Sequence, residues 1–197
     1  MASVFSDIML LASENHGYFT TADAQRMGYT RAYLSQLVKK GRLERVGHGQ
    51  YCFPGMFTDE LFLLGQRSDK IIFSHETALF LHGLSERTPF QHSITLPSGS
   101  SIRNSDGLLK VYHIKPELHS LGAIEVSTKA GQTVPCYNVE RTICDILRSR
   151  NRMDDQMIRE ALRRFISLDK GDFEKLRQYA QLLRVTKVLR NYTEALV

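Results

Sequence analysis

The chain has 197 residues, 42% hydrophobic and 24% charged, with 26 Lys and Arg against 21 Asp and Glu. That length suits two or three small domains, and the balance of apolar and charged residues excludes wholesale disorder. No apolar run approaches membrane-spanning length, and the opening M-A-S-V-F-S-D-I-M-L-L-A lacks the basic region of a secretory leader, so the expectation is a soluble, cytoplasmic protein with no membrane partner.

The formal charge of +5 and a pI near 9.2 point to a polyanionic partner. The excess is uneven: +2 over residues 1–54, −2 over 55–140 and +5 over 141–197. Cys52, Cys136 and Cys144 are odd in number and show no C-x-x-C spacing. Reduced thiols are therefore expected, with neither a disulfide framework nor a zinc site.

In chain order, Ser3 to Glu14 reads as an amphipathic helix, with Val4, Ile8 and Leu11 on one side. After His16-Gly17 a second helix is capped at Thr20 or Thr21, and it ends at Gly28, a residue that reaches positive φ without steric cost. Thr30 caps a third helix, Arg31 to Lys40, which stops at Gly41. Leu43–Val46 and Gln50–Phe53 then flank the glycine-rich tip Gly47-His48-Gly49 as a hairpin. This is the order of a winged helix-turn-helix, filling residues 1–55 and ending at the turn Pro54-Gly55.

The third helix has two distinct faces. Tyr33, Leu34, Leu37 and Val38 share one side; Arg31, Ala32, Ser35, Gln36 and Lys39 share the other. A helix entering the major groove needs short, hydrogen-bonding and cationic groups there, since Gln pairs with adenine edges and Arg with guanine. Between Arg31 and Phe53 the cations Arg31, Lys39, Lys40, Arg42 and Arg45 face a single anion, Glu44.

Residues 56–137 read as an α+β region. Helices are expected over Thr58–Gln66 and from Ser74 to about His82, and strands at Ile71–Phe73, Ser93–Leu96 and Leu108–Ile114, with a hairpin over Ala123–Thr128 and Thr133–Tyr137. Residues 138–197 turn helical: Glu140–Arg148 capped by Asn138, then Asp154–Ile166, Asp172–Leu183 and Thr186–Leu196. The fold class is α+β, with a C-terminal helical bundle that can join the middle region in one domain.

Catalytic signatures are missing. His75-Glu76 lacks the second His one helical turn on, because position 79 is Leu79 and the next histidine is His82. Asp106, after Gly99-Ser100, lacks the second carboxylate a nucleotidyltransferase uses for Mg²⁺. Glu125 and Lys129 are too far apart for a nuclease strand, and no P-loop or G-x-S-x-G is present. A non-enzymatic protein without cofactor or metal is expected. Arg148, Arg150 and Arg152 cluster at a helix end, while Arg159 and Arg163 lie on the next helix with Asp155 and Glu160 as neighbours. They read either as a solvated, ion-paired surface or as a second surface for nucleic acid or a partner.

The run G-Y-T-R-A-Y-L-S-Q-L-V-K-K-G-R-L-E-R-V-G-H-G-Q-Y-C-F-P-G, Gly28 to Gly55, resembles the winged-helix domain of AbiEi-type antitoxins of type IV toxin–antitoxin, or abortive-infection, systems. F-S-H-E-T-A-L-F-L-H-G-L-S (Phe73–Ser85) and N-V-E-R-T-I-C-D-I-L-R (Asn138–Arg148) resemble the family's second and third blocks. The resemblance implies an N-terminal domain that binds inverted repeats in its own promoter and represses it. It also implies a C-terminal part that counters a nucleotidyltransferase-type toxin, as part of phage defence. Thr30, Arg31, Ser35, Gln36 and Lys39 match the groove-facing positions, and Arg42, Arg45 and His48 match the wing. His48 stands where Arg or Lys is expected, which implies a weaker, pH-sensitive wing contact. The alternative is an antitoxin that neutralises its toxin by direct binding.

Overall fold

The computed structural model describes residues 7–10, 12, 17–47, 49–56, 59–104, 106–167 and 171–195. The chain divides into two compact units, residues 1–67 and 68–197. No described helix is long and apolar enough to cross a membrane.

The first unit opens with helical backbone at residues 7–10 and 12, where Ile8 and Ala12 are buried. The rest of the first expected helix lies outside the described residues. Strand β1 (Tyr18–Thr20) leads into helix α1 (Thr21–Arg26) and helix α2 (Arg31–Lys39), followed by strands β2 (Glu44–Gly47) and β3 (Gln50–Cys52). The sheet order is β1-β3-β2, all antiparallel. Strand β1 is an element that the sequence does not announce ahead of the helix. Three residues are too few to show a period, and only pairing with β3 makes them a strand.

Thr20 is the cap of α1, in a reciprocal box with Asp23: its hydroxyl accepts from Asp23 N–H at 3.2 Å, and its own N–H donates to Asp23 Oδ2 at 2.8 Å. Ile8, Ala12, Phe19, Ala24, Leu34, Leu37, Leu43 and Tyr51 form the core of the unit. The unit runs past the Pro54-Gly55 turn. Helix α3 (Glu60–Gly65) belongs to it, because Gln50 Nε2 donates to Leu63 O at 2.8 Å and Asp59 N–H donates to Tyr18 Oη at 3.0 Å. These polar groups would otherwise be buried unpaired, so the boundary moves to Arg67.

The second unit holds a five-stranded mixed sheet of order β6-β5-β4-β8-β7: β4 (Ile72–Phe73), β5 (His92–Pro97), β6 (Leu109–Ile114), β7 (Ala123–Ser127) and β8 (Thr133–Tyr137). Strands β5 and β6 run parallel from His92↔Leu109 to Pro97↔Ile114. Asn104 steadies their connection, accepting from Leu109 N–H at 3.0 Å and donating to Leu109 O at 2.7 Å. Helix α4 (His75–Leu81) follows β4, and helices α5 (Val139–Arg148), α6 (Asp155–Ser167), α7 (Phe173–Leu182) and α8 (Thr186–Glu194) follow β8. One apolar core joins Leu79 and Leu84, Ile114, and Ile143, Ile146, Leu162, Phe165 and Leu176 of the helices. The middle region and the C-terminal helices are therefore one α+β body.

Helix α5 is its axis, since every residue from Glu140 to Leu147 is buried. Arg141 Nε donates to Asp145 Oδ2 at 3.0 Å, and Arg141 Nη1 donates to the carbonyls of Leu118 and Leu121 at 2.9 and 2.7 Å. The guanidinium also covers the Tyr137 ring at 4.1 Å. Cys52, Cys136 and Cys144 are buried and unpaired, and burial pushes the Cys144 thiol up to about 12.

Candidate nucleic-acid interface

Helix α2 is positioned by its two ends and its apolar stripe. Thr30 Oγ1 accepts from Tyr33 N–H at 3.2 Å, satisfying one orphan donor of the first turn. Leu34 and Leu37 are buried and Tyr33 and Val38 half-buried, so this side packs on the core. Thr30, Arg31, Ala32, Ser35, Gln36, Lys39 and Lys40 are all exposed. The partition follows from spacing alone, because residues three and four apart share a face.

Two of the polar groups are partly engaged. Ser35 Oγ donates to Arg31 O at 3.0 Å, which turns the hydroxyl lone pairs outward as acceptors. The Thr30 oxygen serves the cap and keeps its O–H free to donate. Arg31, Gln36, Lys39 and Lys40 make no side-chain hydrogen bond or ion pair among the described residues.

The wing is the β2–β3 hairpin. Its register runs Glu44↔Cys52, Arg45↔Tyr51 and Gly47↔Gln50, so Val46 is an inserted residue that bends the strand. Arg45 is exposed and its Nε donates to Gly47 O at 3.2 Å, which lays the side chain along the wing. Arg42 is exposed at the start of the hairpin. His48 lies outside the described residues. Gly49 sits at φ +71, and a Cβ there would meet Thr21 Oγ1 at 3.1 Å. Thr21 N–H donates to Gly49 O at 2.7 Å, which ties the wing to the first turn of α1.

The structure thus brings Thr30, Arg31, Ser35, Gln36, Lys39 and Lys40 onto one helix face, with Arg42 and Arg45 on the following hairpin of the same unit. Arg148, Arg150, Arg152, Arg159 and Arg163, the arginines that stand out in the sequence, do not form one set. Arg159 Nε donates to Asp155 Oδ2 at 2.7 Å and packs on Tyr192, Arg150 Nη1 donates to Leu147 O at 3.3 Å, and Arg163 is exposed on α6. Arg148 and Arg152 instead line a cavity with His75 and Tyr112, residues that the sequence reading did not single out as a site. Only His75 lies in a block that stands out in the sequence, and its partner Ser149 is 74 positions away. Among the described residues no group of three or more His, Cys, Asp or Glu could hold a metal ion.

Residues 6–54 match a family model described as transcriptional regulator, AbiEi antitoxin. The resemblance read from the sequence therefore holds over residues 6–54, and the match supports a role as antitoxin and transcriptional regulator. No curated protein matches the chain. Among solved structures, the crystal structure of the RV2827C protein from Mycobacterium tuberculosis is similar, with a TM-score of 0.60 and 16% identity over 91% of this chain and 71% of that one. At that identity the likeness concerns the α+β fold alone.

Proposed function

We propose that the chain is a DNA-binding autorepressor and antitoxin of a type IV toxin–antitoxin system. It recognises inverted repeats in its own promoter and counters a nucleotidyltransferase-type toxin. The observation that carries the reading is the outer face of α2, where small, amide and cationic side chains stand exposed within a domain matching AbiEi regulators. Arg31, Ser35 and Gln36 read base edges, while Lys39, Lys40, Arg42 and Arg45 contact phosphates, with Thr30 at the helix start and His48 at the wing tip.

Four phosphate contacts per bound chain give a slope of about −3 to −4 for log affinity against log salt. The test is binding of the purified chain to its own upstream DNA and to scrambled duplex across a salt series. A preference of roughly a thousandfold for its own promoter, with that slope, is expected. Equal and weak binding to both duplexes would overturn the reading.

A second reading, direct neutralisation of the toxin, draws on the apolar side chains that the C-terminal helices leave exposed, Ile166 on α6 and Phe173 and Leu182 on α7. It expects a stable stoichiometric complex with the toxin on co-expression, and separation of the two on a sizing column would rule it out.

A further inference from the structure

The C-terminal unit contains a cavity of about 310 Å³ whose polar lining has no part in the interface above. Its floor is a chain of hydrogen bonds. Thr95 Oγ1 donates to Ser74 Oγ at 2.9 Å, Ser74 Oγ meets His75 Nδ1 at 2.9 Å, and His75 Nε2 meets Ser149 Oγ at 2.9 Å. Ser74 stands at the cap position of α4 yet makes no capping bond, so its hydroxyl is committed to this chain. His75 is held at φ +47, a conformation a non-glycine residue adopts only when its surroundings impose it. Its ring stacks on Tyr112 at 3.5 Å between centroids.

The charge in the cavity does not cancel. Asp145 is matched by Arg141 at 3.0 Å, and Lys110, beside the cavity, by Glu76 at 2.6 Å. Burial, together with Lys110, Arg141, Arg152 and Arg148, holds His75 well below its ordinary value, so the imidazole adds no charge at neutral pH. Arg148 and Arg152 remain as surplus, the second lying 4.4 Å from the Tyr112 ring centroid. Arginines at the end of a helix are ordinary. These two are singled out by what shares their cavity: the Ser149 hydroxyl, held by His75 Nε2 at 2.9 Å, and the buried Tyr112 ring on which Arg152 lies. Two of the carbonyls at the end of α5, which would repel an anion, are engaged, Asp145 O by Ser149 N–H at 3.0 Å and Leu147 O by Arg150.

Two guanidiniums and a serine hydroxyl are donors, and an oxyanion with several acceptor oxygens satisfies them together. We propose that this cavity binds the phosphoryl group of a small phosphorylated molecule or of free phosphate. Its volume lies at the lower end of small-molecule sites, roughly 300–1,000 Å³. The site is independent of the DNA-binding reading.

The test is titration of the full chain with inorganic phosphate and with adenosine 5′-monophosphate, at constant ionic strength, by calorimetry. Saturable binding is expected, weakened about tenfold or more in Arg148→Gln and Arg152→Gln. Both side chains are exposed, so the variants keep their fold, which circular dichroism verifies. Ser149→Ala weakens binding as well, and Arg177→Gln on α7, outside the cavity, leaves it unchanged. Tighter binding of the nucleotide, with phosphate competing, marks a phosphorylated metabolite as the source; equal binding marks free phosphate. No saturable binding of either probe at millimolar concentration, or binding untouched by the arginine variants, would overturn the proposal.

Discussion

Arg141→Met is the sharpest probe of the C-terminal unit. The wild-type side chain is 0% exposed, pairs with Asp145 at 3.0 Å and caps the carbonyls of Leu118 and Leu121. Methionine fills part of the volume and supplies no donor. It leaves a carboxylate that is 3% exposed without its counter-charge, and two carbonyls without their donor. Breaking a buried pair from one side costs about 3–5 kcal/mol, a large share of a total stability of roughly 5–15 kcal/mol. Urea unfolding followed by far-UV circular dichroism measures the loss. The pH dependence isolates the cause. Burial raises the Asp145 carboxyl above its ordinary value even against Arg141, so its contribution to stability is present below the ordinary carboxylate range and is lost as pH rises through the raised value. Removing Arg141 pushes that value higher, so the deficit of the variant shrinks on going from neutral to mildly acid pH. The double variant Arg141→Met, Asp145→Leu recovers the carboxylate part, while the two carbonyls, at about 1–3 kcal/mol each, stay unpaired. A loss below about 1 kcal/mol in the single variant, or a deficit equal at both pH values, would refute the account.

Three further outcomes follow from the first unit. Thr20→Ala removes the cap of α1 and lowers stability by about 1 kcal/mol. Burial works against the Asp23 carboxylate, but bonds from Thr20 and Arg26 outweigh it and hold its titration below the ordinary range, so wild-type stability is lost as pH falls through that lowered value. Thermal melts on an acid series should be flatter in the variant. Leu34→Ala empties a fully buried position and costs about 2–5 kcal/mol; binding to promoter and random DNA should fall together, read by fluorescence anisotropy. Arg31→Ala should relax sequence preference, by roughly 1–3 kcal/mol of discrimination, whereas Arg45→Ala should weaken binding to every duplex. Equal losses in both variants on both duplexes would contradict that division of labour.

The faces of α2 were legible because a surface helix packed on one side obeys a single period, and the exposed and buried residues fall where the spacing puts them. Helix α5 shows where that logic stops. Its apolar residues Ile143, Ile146 and Leu147 suggest one buried side, yet Glu140, Arg141 and Asp145 are buried as well. An i,i+4 ion pair with carbonyl partners on the 118–121 segment lets the polar side go inside, and those partners are set by tertiary packing rather than by the helix. The parallel pairing of β5 with β6 was hidden for a related reason: two apolar runs joined by a polar loop carry no sign of direction. His75 carries no metal-site signature in the sequence, because no second histidine aligns with it. His82 indeed has a separate role, its Nε2 meeting Tyr137 O at 2.7 Å. What singles out His75 is contact with Ser149 and Tyr112, which lie in different elements.

The charges of the two units are spent differently, and the contrast bears on the proposed DNA-binding surface. On α6, Arg159 is matched by Asp155, and Arg164 by Glu160 of the same helix and by Glu86. On α2 and the wing, Arg31, Lys39, Lys40 and Arg45 make no ion pair among the described residues. A surface that serves solubility alone gains from interspersed pairs, which lower self-repulsion. Leaving four cations unmatched on one helix and its hairpin maintains that repulsion in the free protein. Phosphate binding relieves it and releases the condensed counter-ions of the duplex at the same time. The C-terminal segment has the larger basic excess, and its unmatched Arg148 and Arg152 line the cavity; α2 and the hairpin instead present their unmatched cations on an exposed surface, open to an extended polyanion.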